Sequence, residues 1–557
     1  MPERAQELPQ LVHVRSVSGG QNDTAQPWLI GESQAVELLN FDLQSPGARK
    51  RRLGVVDQGG RTGAPFGACA AVDSGQGRTA LFASYANQLF MLPGAGVVSQ
   101  RCCSASLTSH LHQFVEGRYG GRSAIYVVSN GVHETAPSLA SRLLVFTDND
   151  TTTQAASFAP RAATWFQSRL WIVDNVFNQD EETLWWSELN DGTLYSSTNT
   201  IRPWPGIGGR CTAVLGIRSS TPSLLVFKQR ATVVLEPHWG ASSSLIPAAA
   251  DALDTVKSAV RLISLRYGCV AARSIQHVPG RKGGDILFLA DDGVRSITRS
   301  YNDDIAGVGD TITDSIRTTI QRINFSYAHK IVSAVVGRRY LLAVPLDGAT
   351  DNTHILALEL DNDSPEWNVF DWTAKDLVTA LANGETQERL WMQYNASTGE
   401  CSVTGLQASY HVFKNFSGQA DPGTAGIVYR ETTRAFDFGD VTVKKRWDAV
   451  YLTVKNDSLA TATIGVRYSV NGLNYITAAS CQFGGSPELT YLGTTPLPWG
   501  SQTGAIRVFR FSLADAQPSY TIQFKLQGES DSAIPALLDV CVAARPLPFT
   551  DYDNSIS

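Results

Sequence analysis

The pattern of apolar and polar positions along this chain is extended and repetitive. Apolar residues alternate with polar ones over short stretches, and each stretch ends at a Gly, Asn or Asp. The clearest copies lie at 77–92, 168–195, 223–237, 285–298 and 338–372. A period of two that is broken by turn residues predicts one or two β-hairpins in each copy.

Hairpins of this size predict a β-propeller, because a lone hairpin cannot bury its apolar face and radial stacking can. The pattern recurs from 61 to 426 and predicts six or seven irregular blades, which start near residues 66, 112, 164, 212, 270, 330 and 378. The segment 303–320 interrupts it with a predicted short helix. Thr313 or Asp314 would cap this helix, and Ile312, Ile316 and Ile320 would share one face.

The pattern changes after residues 417–426. Five alternating strands with turn signals follow and predict a β-sandwich over about 427–545, with the Asn471–Gly472 turn as the strongest hairpin signal. Residues 1–60 differ from both regions and predict an N-terminal arm. Residues 549–557 predict a polar tail.

Composition narrows the function classes. The 557 residues carry a formal net charge of −6, so no global basic field would attract nucleic acid. The eight cysteines are scattered without a CxxC pair, which predicts buried thiols and assembly in a reducing cytoplasm. No apolar stretch approaches the length of a membrane-spanning segment. We therefore expect no membrane-spanning part and no secretion signal.

Motifs for catalysis, cofactors or metals are absent from the sequence: there is no phosphate loop, no complete dinucleotide fingerprint, no zinc-protease motif and no nucleophile elbow. His110 and His112 would share a strand face, but an exposed pair without a third ligand is the favoured interpretation. The acidic clusters 148–150 and 361–363 lack the Gly and Glu of a calcium loop. No catalytic, cofactor-binding or metal-binding residue is predicted.

One alternative stays open: a glycan-binding or glycan-cleaving propeller tail protein. SVNGLNY (469–475) and SELNDGTLY (187–195) are similar to the Asp-box turns of sialidase propellers, although the first has Asn471 where Asp is usual. Such hydrolases need facing carboxylates and an arginine clamp, which scattered acidic residues in a sequence cannot establish. The favoured prediction is a protein without enzymatic activity.

Two basic runs could contact a partner. Arg49, Lys50, Arg51 and Arg52 form the first, and Lys444, Lys445 and Arg446 form the second. A solvated surface is at least as good an interpretation as a docking patch for an acidic partner or DNA phosphates.

The N-terminal arm resembles the start of the tail nozzle proteins of short-tailed bacteriophages, a family that includes the packaged-DNA stabilisation (tail accessory) proteins and tail tubular protein B. The shared phrase consists of Gly19, Gly20 and Asn22, then Asn40, then Gly47, Arg51, Arg52 and Gly54. Similar phrases occur at 223–236, at 267–298 with Gly268, Cys269, Asp292 and Gly293, and in the C-terminal region with Asn471 in place of Asp.

The resemblance implies a propeller at 61–426 and a platform built from 1–60 and 427–548. It also implies a virion structural protein, assembled in the host cytoplasm, in which six copies form a ring at the tail tip. The ring would dock on the tail adaptor below the portal, meet fibres, spikes or a needle, retain packaged double-stranded DNA and conduct it during ejection. The residues expected at partner contacts are Gly19, Gly20, Asn22, Trp28, Arg49, Lys50, Arg51, Arg52, Lys444, Lys445 and Arg446.

Overall fold

The computed structural model of this chain describes residues 9–14, 17, 19–43, 48–62, 65–73, 78–85, 88–92, 100–101, 112–129, 143–147, 160–175, 180–217, 222–239, 259–278, 286–299, 305–360, 365–381, 389–395, 409–418, 421, 426–456, 462–483, 506–530 and 535–547. The regular secondary structure of the described part is almost entirely β-strand. Five strands precede the first blade: β1 (Gln10–Val14), β2 (Ala35–Leu39), β3 (Phe41–Asp42), β4 (Arg49–Arg51) and β5 (Gly54–Thr62).

Three antiparallel sheets follow in chain order, and each is a propeller blade. Blade 1 consists of β6 (Pro65–Asp73), β7 (Arg78–Tyr85), β8 (Gln88–Leu92) and β9 (Gln100–Arg101). Blade 2 consists of β10 (His112–Tyr119), β11 (Arg122–Ser129) and β12 (Leu143–Thr147). Blade 3 consists of β13 (Pro160–Phe166), β14 (Arg169–Asn175), β15 (Asp180–Trp186) and β16 (Thr200–Ile201).

The next three blades continue this order. Blade 4 consists of β17 (Cys211–Ile217), β18 (Ser223–Lys228), β19 (Thr232–Glu236) and β20 (Ala259–Ser264). Blade 5 consists of β21 (Gln276–His277), β22 (Ile286–Ala290), β23 (Gly293–Arg299) and β24 (Ile305–Thr311). Blade 6 consists of β25 (Val332–Val336), β26 (Arg339–Val344), β27 (His354–Glu359) and β28 (Glu366–Phe370).

Blade 7 closes the ring with strands from distant parts of the chain. It contains β29 (Asp376–Ala380), β30 (Arg389–Asn395) and β31 (Ser409–Gly418), and β5 from the N-terminal region pairs antiparallel with β31 as the outermost strand. Strand β29 contacts β6 of blade 1 as well as β25 of blade 6. The described sheets therefore form a closed seven-bladed propeller. Strand β5, which precedes blade 1 in the chain, closes the ring by pairing in blade 7.

The apolar cores lie between neighbouring blades, which explains why several strands are apolar without interruption. One core joins blades 3 and 4, another blades 4 and 5, and two more join blade 6 to blades 5 and 7. Every residue of β18 and of β22 is buried. A strand that is covered on both faces has no polar side to alternate with.

The platform is a two-sheet sandwich of strands from both ends of the chain. Its C-terminal strands are β32 (Ile427–Phe436), β33 (Lys445–Asn456), β34 (Ala462–Val470), β35 (Ile476–Phe483), β36 (Ile506–Ser512), β37 (Ile522–Ser530) and β38 (Pro535–Pro546). One sheet runs β3-β4-β38-β33-β36, with β1 also on β38, and the other runs β2-β32-β37-β34-β35. A single large apolar core fills the space between them.

Strand β2 continues the sheet of blade 6 into the platform. It pairs parallel with β28 at Leu39 and Val369, and antiparallel with β32 on its other edge. Nine strands thus form one sheet that spans both regions. The prediction of an all-β propeller with a sandwich platform completed by the N-terminal arm is confirmed. The boundary at residue 60 stays a prediction, although β5 places residues 54–60 in blade 7 rather than in the platform.

The predicted helix within 303–320 begins later and is shorter than expected. Strand β24 occupies its first part, a 3₁₀ turn covers Asp314–Ile316, and α1 spans Arg317–Gln321. Ile316 and Ile320 are buried in the core between blades 5 and 6. Two further 3₁₀ segments in the described part of the chain are Ala272–Ser274 and Phe325–Lys330. No helix of the described residues is long and apolar enough to cross a membrane.

Candidate functional site

The joint between propeller and platform is built around Asn40, which follows β2. Asn40 adopts a left-handed backbone conformation (φ 59°), which Asn tolerates better than most residues. Its amide nitrogen donates to the Val369 carbonyl of blade 6 at 2.8 Å, and its side-chain nitrogen donates to the Val428 carbonyl of β32 at 2.6 Å. One residue therefore ties the two regions together.

Arg52 completes the joint with all of its guanidinium nitrogens. Its side chain is fully buried, and Nε donates to the Asn40 side-chain oxygen at 2.8 Å. Both Nη atoms bind the Asp421 carboxylate, at 3.0 and 2.5 Å, and Nη2 also binds Asp371 at 2.8 Å. The guanidinium lies 4.3 Å from the Trp372 ring centroid. Burial alone would lower the pKa of Arg52, but the two carboxylates outweigh burial and raise it.

Two further buried ion pairs lie beside the joint. The Arg49 Nε lies 2.7 Å from a Glu431 carboxylate oxygen, and both side chains are about 1% exposed. Burial raises the pKa of Glu431, and the Arg49 charge opposes that rise. Arg339 of blade 6 donates to Glu359 and to Asp42 of β3, each at 2.6 Å. Charged groups buried in this way depend on their partners, because an unpaired buried charge is costly.

The start of the arm fits closely against blade 6 and α1. Gly20 has φ 67°, and a Cβ there would lie 2.7 Å from the Trp367 backbone nitrogen, so only glycine fits without strain. Three residues further on, the Asp23 carboxylate accepts hydrogen bonds from the amides of Thr318 (3.1 Å) and Thr319 (3.0 Å). Asp23 thus caps α1 from outside the helix, where the sequence predicts Thr313 or Asp314.

The other residues of the Gly-Gly-x-Asn phrase stabilise the arm itself. The Gly19 amide donates to the Ser33 carbonyl at 2.9 Å, and the Asn22 side chain donates to the Gln34 side chain at 2.9 Å. The Asn22 oxygen also accepts from the Ala25 amide at 3.1 Å. The phrase on which the family resemblance rests is therefore a folding element of the arm.

Several residues predicted to contact partners are not on the surface. Arg49, Arg51 and Arg52 are at most 1% exposed, and Lys50 between them is half-buried. The expectation that the run is exposed is wrong for the three arginines, because internal carboxylates hold Arg49 and Arg52. Gly20 is likewise buried against Trp367. Replacing the whole run with alanine is therefore expected to impair folding, because Glu431, Asp371 and Asp421 would lose their buried cationic partners.

The remaining predicted contact residues are more accessible. Trp28 is 45% exposed and its neighbour Leu29 is 71% exposed. In the second run, Arg446 is exposed and Lys444 is partly exposed beside the Tyr520 ring. Lys445 is buried: it donates to the carbonyls of Asp440 and of Val443 (2.7 Å), and burial lowers its pKa. A docking role for Trp28, Lys444 and Arg446 stays a prediction.

A second candidate site is a cavity of about 680 Å³ among the first strands of the blades. We call it the axial cavity. Its walls come from β10, β25, β29 and the segment that leads into β21. The polar and ionisable side chains of the described wall include His112, Gln113, Glu116, Arg273, Gln276, His277, Ser333, Asp376 and Thr379.

The charges in the axial cavity have a defined arrangement. Arg273 and Asp376 form a close ion pair, and both side chains are largely buried. Glu116 is accessible from the cavity. Partial burial of its carboxyl group raises the pKa of that group. Two carboxylates and one arginine thus line one cavity, which are the residue types that a glycan-acting site needs.

No sequence motif indicates this cavity. Glu116, Arg273 and Asp376 are far apart in the chain, and only blade closure brings them to one place. A partial signal existed, because the predicted blade starts near 112, 270 and 378 fall close to these residues. His112 is buried rather than exposed, and its Nδ1 lies 2.9 Å from the Ser84 hydroxyl. His110 lies outside the described residues.

The two segments similar to Asp-box turns are turns within the fold. Asp191 accepts from the Thr193 amide (2.9 Å) and hydroxyl (2.6 Å), and the Gly192 amide donates to the Tyr126 hydroxyl at 2.9 Å. Asn471 has φ 50° and accepts from the Tyr520 amide at 3.0 Å. The acidic clusters 148–150 and 361–363 lie outside the described residues. No group of three or more His, Cys, Asp or Glu side chains is arranged for a metal ion in the described part.

The chain matches no family model and no curated protein. Several solved structures are similar to it at low identity. An exo-β-1,3-galactanase from Phanerochaete chrysosporium with galactose is 8% identical (79% of this chain, 96% of that chain, TM-score 0.26). A Trypanosoma rangeli sialidase with sialic acid is 11% identical (94% and 96%, TM-score 0.26). A family 43 arabinoxylan arabinofuranohydrolase from Bacillus subtilis is 10% identical (79% and 97%, TM-score 0.20).

These comparisons correct one prediction. The sequence predicts a protein without enzymatic activity, whereas the matched structures include a galactanase, an arabinofuranohydrolase and a sialidase. The exclusion of an enzyme is therefore withdrawn. Likenesses with TM-scores of 0.20 to 0.26 assign no activity to this chain either. Its function has to be argued from its own residues.

Proposed function

We propose that this chain is a structural protein of a short-tailed bacteriophage virion and that its copies form the ring-shaped tail nozzle. One observation carries the proposal: the residues on which the family resemblance rests build the joint between the propeller and a platform made from both ends of the chain. Gly20, Asn40 and Arg52 are all in or beside this joint. This is the architecture that the resemblance implies.

The architecture suits the wall of a ring. A heterologous interface that repeats around an axis closes into a ring, which requires subunits that keep their shape. A sheet shared by blade 6 and the platform, together with the buried ion pairs of the joint, makes such a subunit stiff. The formal net charge of −6 favours passage of DNA over adhesion to it.

The test is the position of the protein in particles. Short-tailed particles from a lysate that carries this gene are labelled with gold-coupled antibodies against the chain and imaged by electron microscopy. We expect label at the distal end of the tail, below the adaptor, and none on particles that assemble without the gene. Particles with intact tails but no label would refute the proposal.

A second candidate function is a glycan-binding or glycan-cleaving propeller tail protein. The observation that favours it is the axial cavity, which Glu116, Asp376 and Arg273 line. Incubation of purified protein with host surface polysaccharide, followed by measurement of new reducing ends, tests cleavage. An increase that Glu116→Gln abolishes would support this function. An increase that is the same in the variant would place any activity outside the cavity.

A further inference from the structure

We infer that the axial cavity binds a neutral, hydroxyl-rich oligosaccharide. The inference deepens the second candidate function by naming the class of ligand, and it requires binding but not cleavage. The volume of about 680 Å³ is within the range of roughly 300 to 1,000 Å³ that is typical of small-molecule sites.

The wall of the cavity contains polar atoms without a partner. Arg273 Nη1 and Thr379 Oγ1 are buried and have no hydrogen-bond partner among the residues that the structure describes. The other terminal nitrogen of Arg273 is held by Asp376, so the guanidinium has a fixed orientation. A buried polar group without a partner is unfavourable, and a hydrogen bond to a ligand hydroxyl would remove that penalty.

The charges of the described wall favour a neutral ligand. Asp376 compensates the positive charge of Arg273, and Glu116 then leaves an excess of negative charge. The Glu116 carboxylate would repel the negative charge of a phosphate, a uronic acid or a sialic acid. A sugar hydroxyl can instead donate a hydrogen bond to its carboxylate and accept one from Arg273. Phe114 and Leu377 supply apolar surface for the C–H face of a sugar ring.

The neighbouring blades hold these groups in place. The Gln276 side chain donates to the Ser333 carbonyl at 2.9 Å, which connects blade 5 to blade 6. The Ser333 hydroxyl donates to the Arg273 carbonyl at 2.9 Å. On the opposite wall, the Gln113 side chain exchanges hydrogen bonds with the Ala163 backbone, each at 3.1 Å. A wall fixed by contacts between blades is organised before a ligand binds, which reduces the entropic cost of binding.

The experiment is calorimetric titration of the full chain with maltotriose, cellotriose and galactotriose, and with N-acetylneuraminic acid as the anionic comparison. We expect at least one neutral trisaccharide to bind and the anionic sugar not to bind. The decisive variant is Thr379→Val, which keeps the side-chain shape and removes a hydroxyl without a partner. Its folding stability should be at least that of the wild type, while affinity for the trisaccharide falls about tenfold.

A second variant and a control make the outcome unambiguous. Glu116→Gln should also weaken binding of the neutral sugar. Glu32→Gln, on the exposed part of the arm, should leave binding unchanged. Absence of binding by every neutral trisaccharide, or binding that neither cavity variant changes, would overturn the inference. Sugar binding with no release of reducing ends would support it while rejecting cleavage. Neither result affects the tail-tip labelling, so the two proposals fail separately.

Discussion

The two basic runs of this chain look alike in sequence and differ in the fold. Arg49–Arg52 lies at the joint, where Arg49 and Arg52 are buried against carboxylates of blade 6 and the platform. Residues 444–446 lie at the start of β33 on the platform surface, where only Lys445 is buried. The difference comes from the partners: Asp371, Asp421 and Glu431 converge on the first run, and backbone carbonyls hold Lys445 in the second.

The contrast shows that a cluster of positive residues in this chain can be either part of the folded interior or accessible at the surface. The first run stabilises the subunit, so its loss would reduce assembly only because the subunit fails to fold. The second run leaves Arg446 accessible, so its loss should leave the subunit intact, and its docking role stays a prediction. Stability and incorporation into particles, measured on the same variants, separate the two roles.

The largest effect is expected for Arg52→Met. Removing the guanidinium leaves Asp421 and the Asn40 oxygen without their main donor in a buried site. We expect the free energy of unfolding to fall by about 3–5 kcal/mol. Chemical denaturation, with Arg446→Met as the matched control from the other run, measures this loss. The control should stay within about 0.5 kcal/mol of the wild type, and equal losses in both variants would contradict the contrast.

The next largest loss in the free energy of unfolding is expected for Gly20→Ala. A Cβ at this position would lie 2.7 Å from the Trp367 nitrogen, and φ is 67°. Gly348 has a similar φ of 77° but no atom within 4 Å of its Cβ position, so Gly348→Ala isolates the backbone penalty. We expect Gly348→Ala to cost about 1 kcal/mol and Gly20→Ala roughly 3 kcal/mol. Equal shifts in denaturation midpoint would show that the contact with Trp367 contributes nothing.

A smaller loss is expected for Asp23→Ala. This change removes the acceptor for the Thr318 and Thr319 amides at the start of α1 and should cost about 1 kcal/mol. Glu32→Ala in the same arm is the control, since Glu32 is exposed. Hydrogen exchange at the Thr318 and Thr319 amides gives the local readout. Unchanged exchange at these amides in Asp23→Ala would show that Asp23 does not cap α1.

The smallest effect on stability is expected for Arg446→Glu. The side chain is exposed, so unfolding should change by no more than about 0.5 kcal/mol. If the platform docks through this surface, charge reversal should nevertheless reduce incorporation of the variant into particles. Quantitative blotting of purified particles measures that fraction. Full incorporation of a stable variant would exclude Arg446 from docking.

Much of the fold follows from local sequence patterns. Alternation, turn residues and spacing predict the strands, the propeller and the sandwich, because each hairpin is encoded within a few tens of residues. The continuous apolar runs of β18 and β22 also indicate strands that are covered on both faces. Closure of blade 7 by β5 was not predicted, because it pairs residues that are more than 340 positions apart, such as Lys414 and Val56.

The candidate sites were less predictable for a physical reason. Exposure of Arg52 depends on Asp371 and Asp421, which are distant in sequence, and composition carries no information about their position. The same holds for Glu116, Arg273 and Asp376, which come from three blades. Local contacts such as the Asn471–Gly472 turn could be predicted, whereas ion pairs and cavities between distant strands required the fold.

A double-mutant cycle at the joint tests most directly whether the basic run of the arm binds within the subunit. Unfolding is measured for the wild type, Arg52→Met, Asp421→Asn and the double variant. Contact between the two side chains predicts a coupling energy of about 1–3 kcal/mol, because either single change already removes most of the interaction. Additivity within about 0.5 kcal/mol would contradict the contact between Arg52 and Asp421 on which the joint depends.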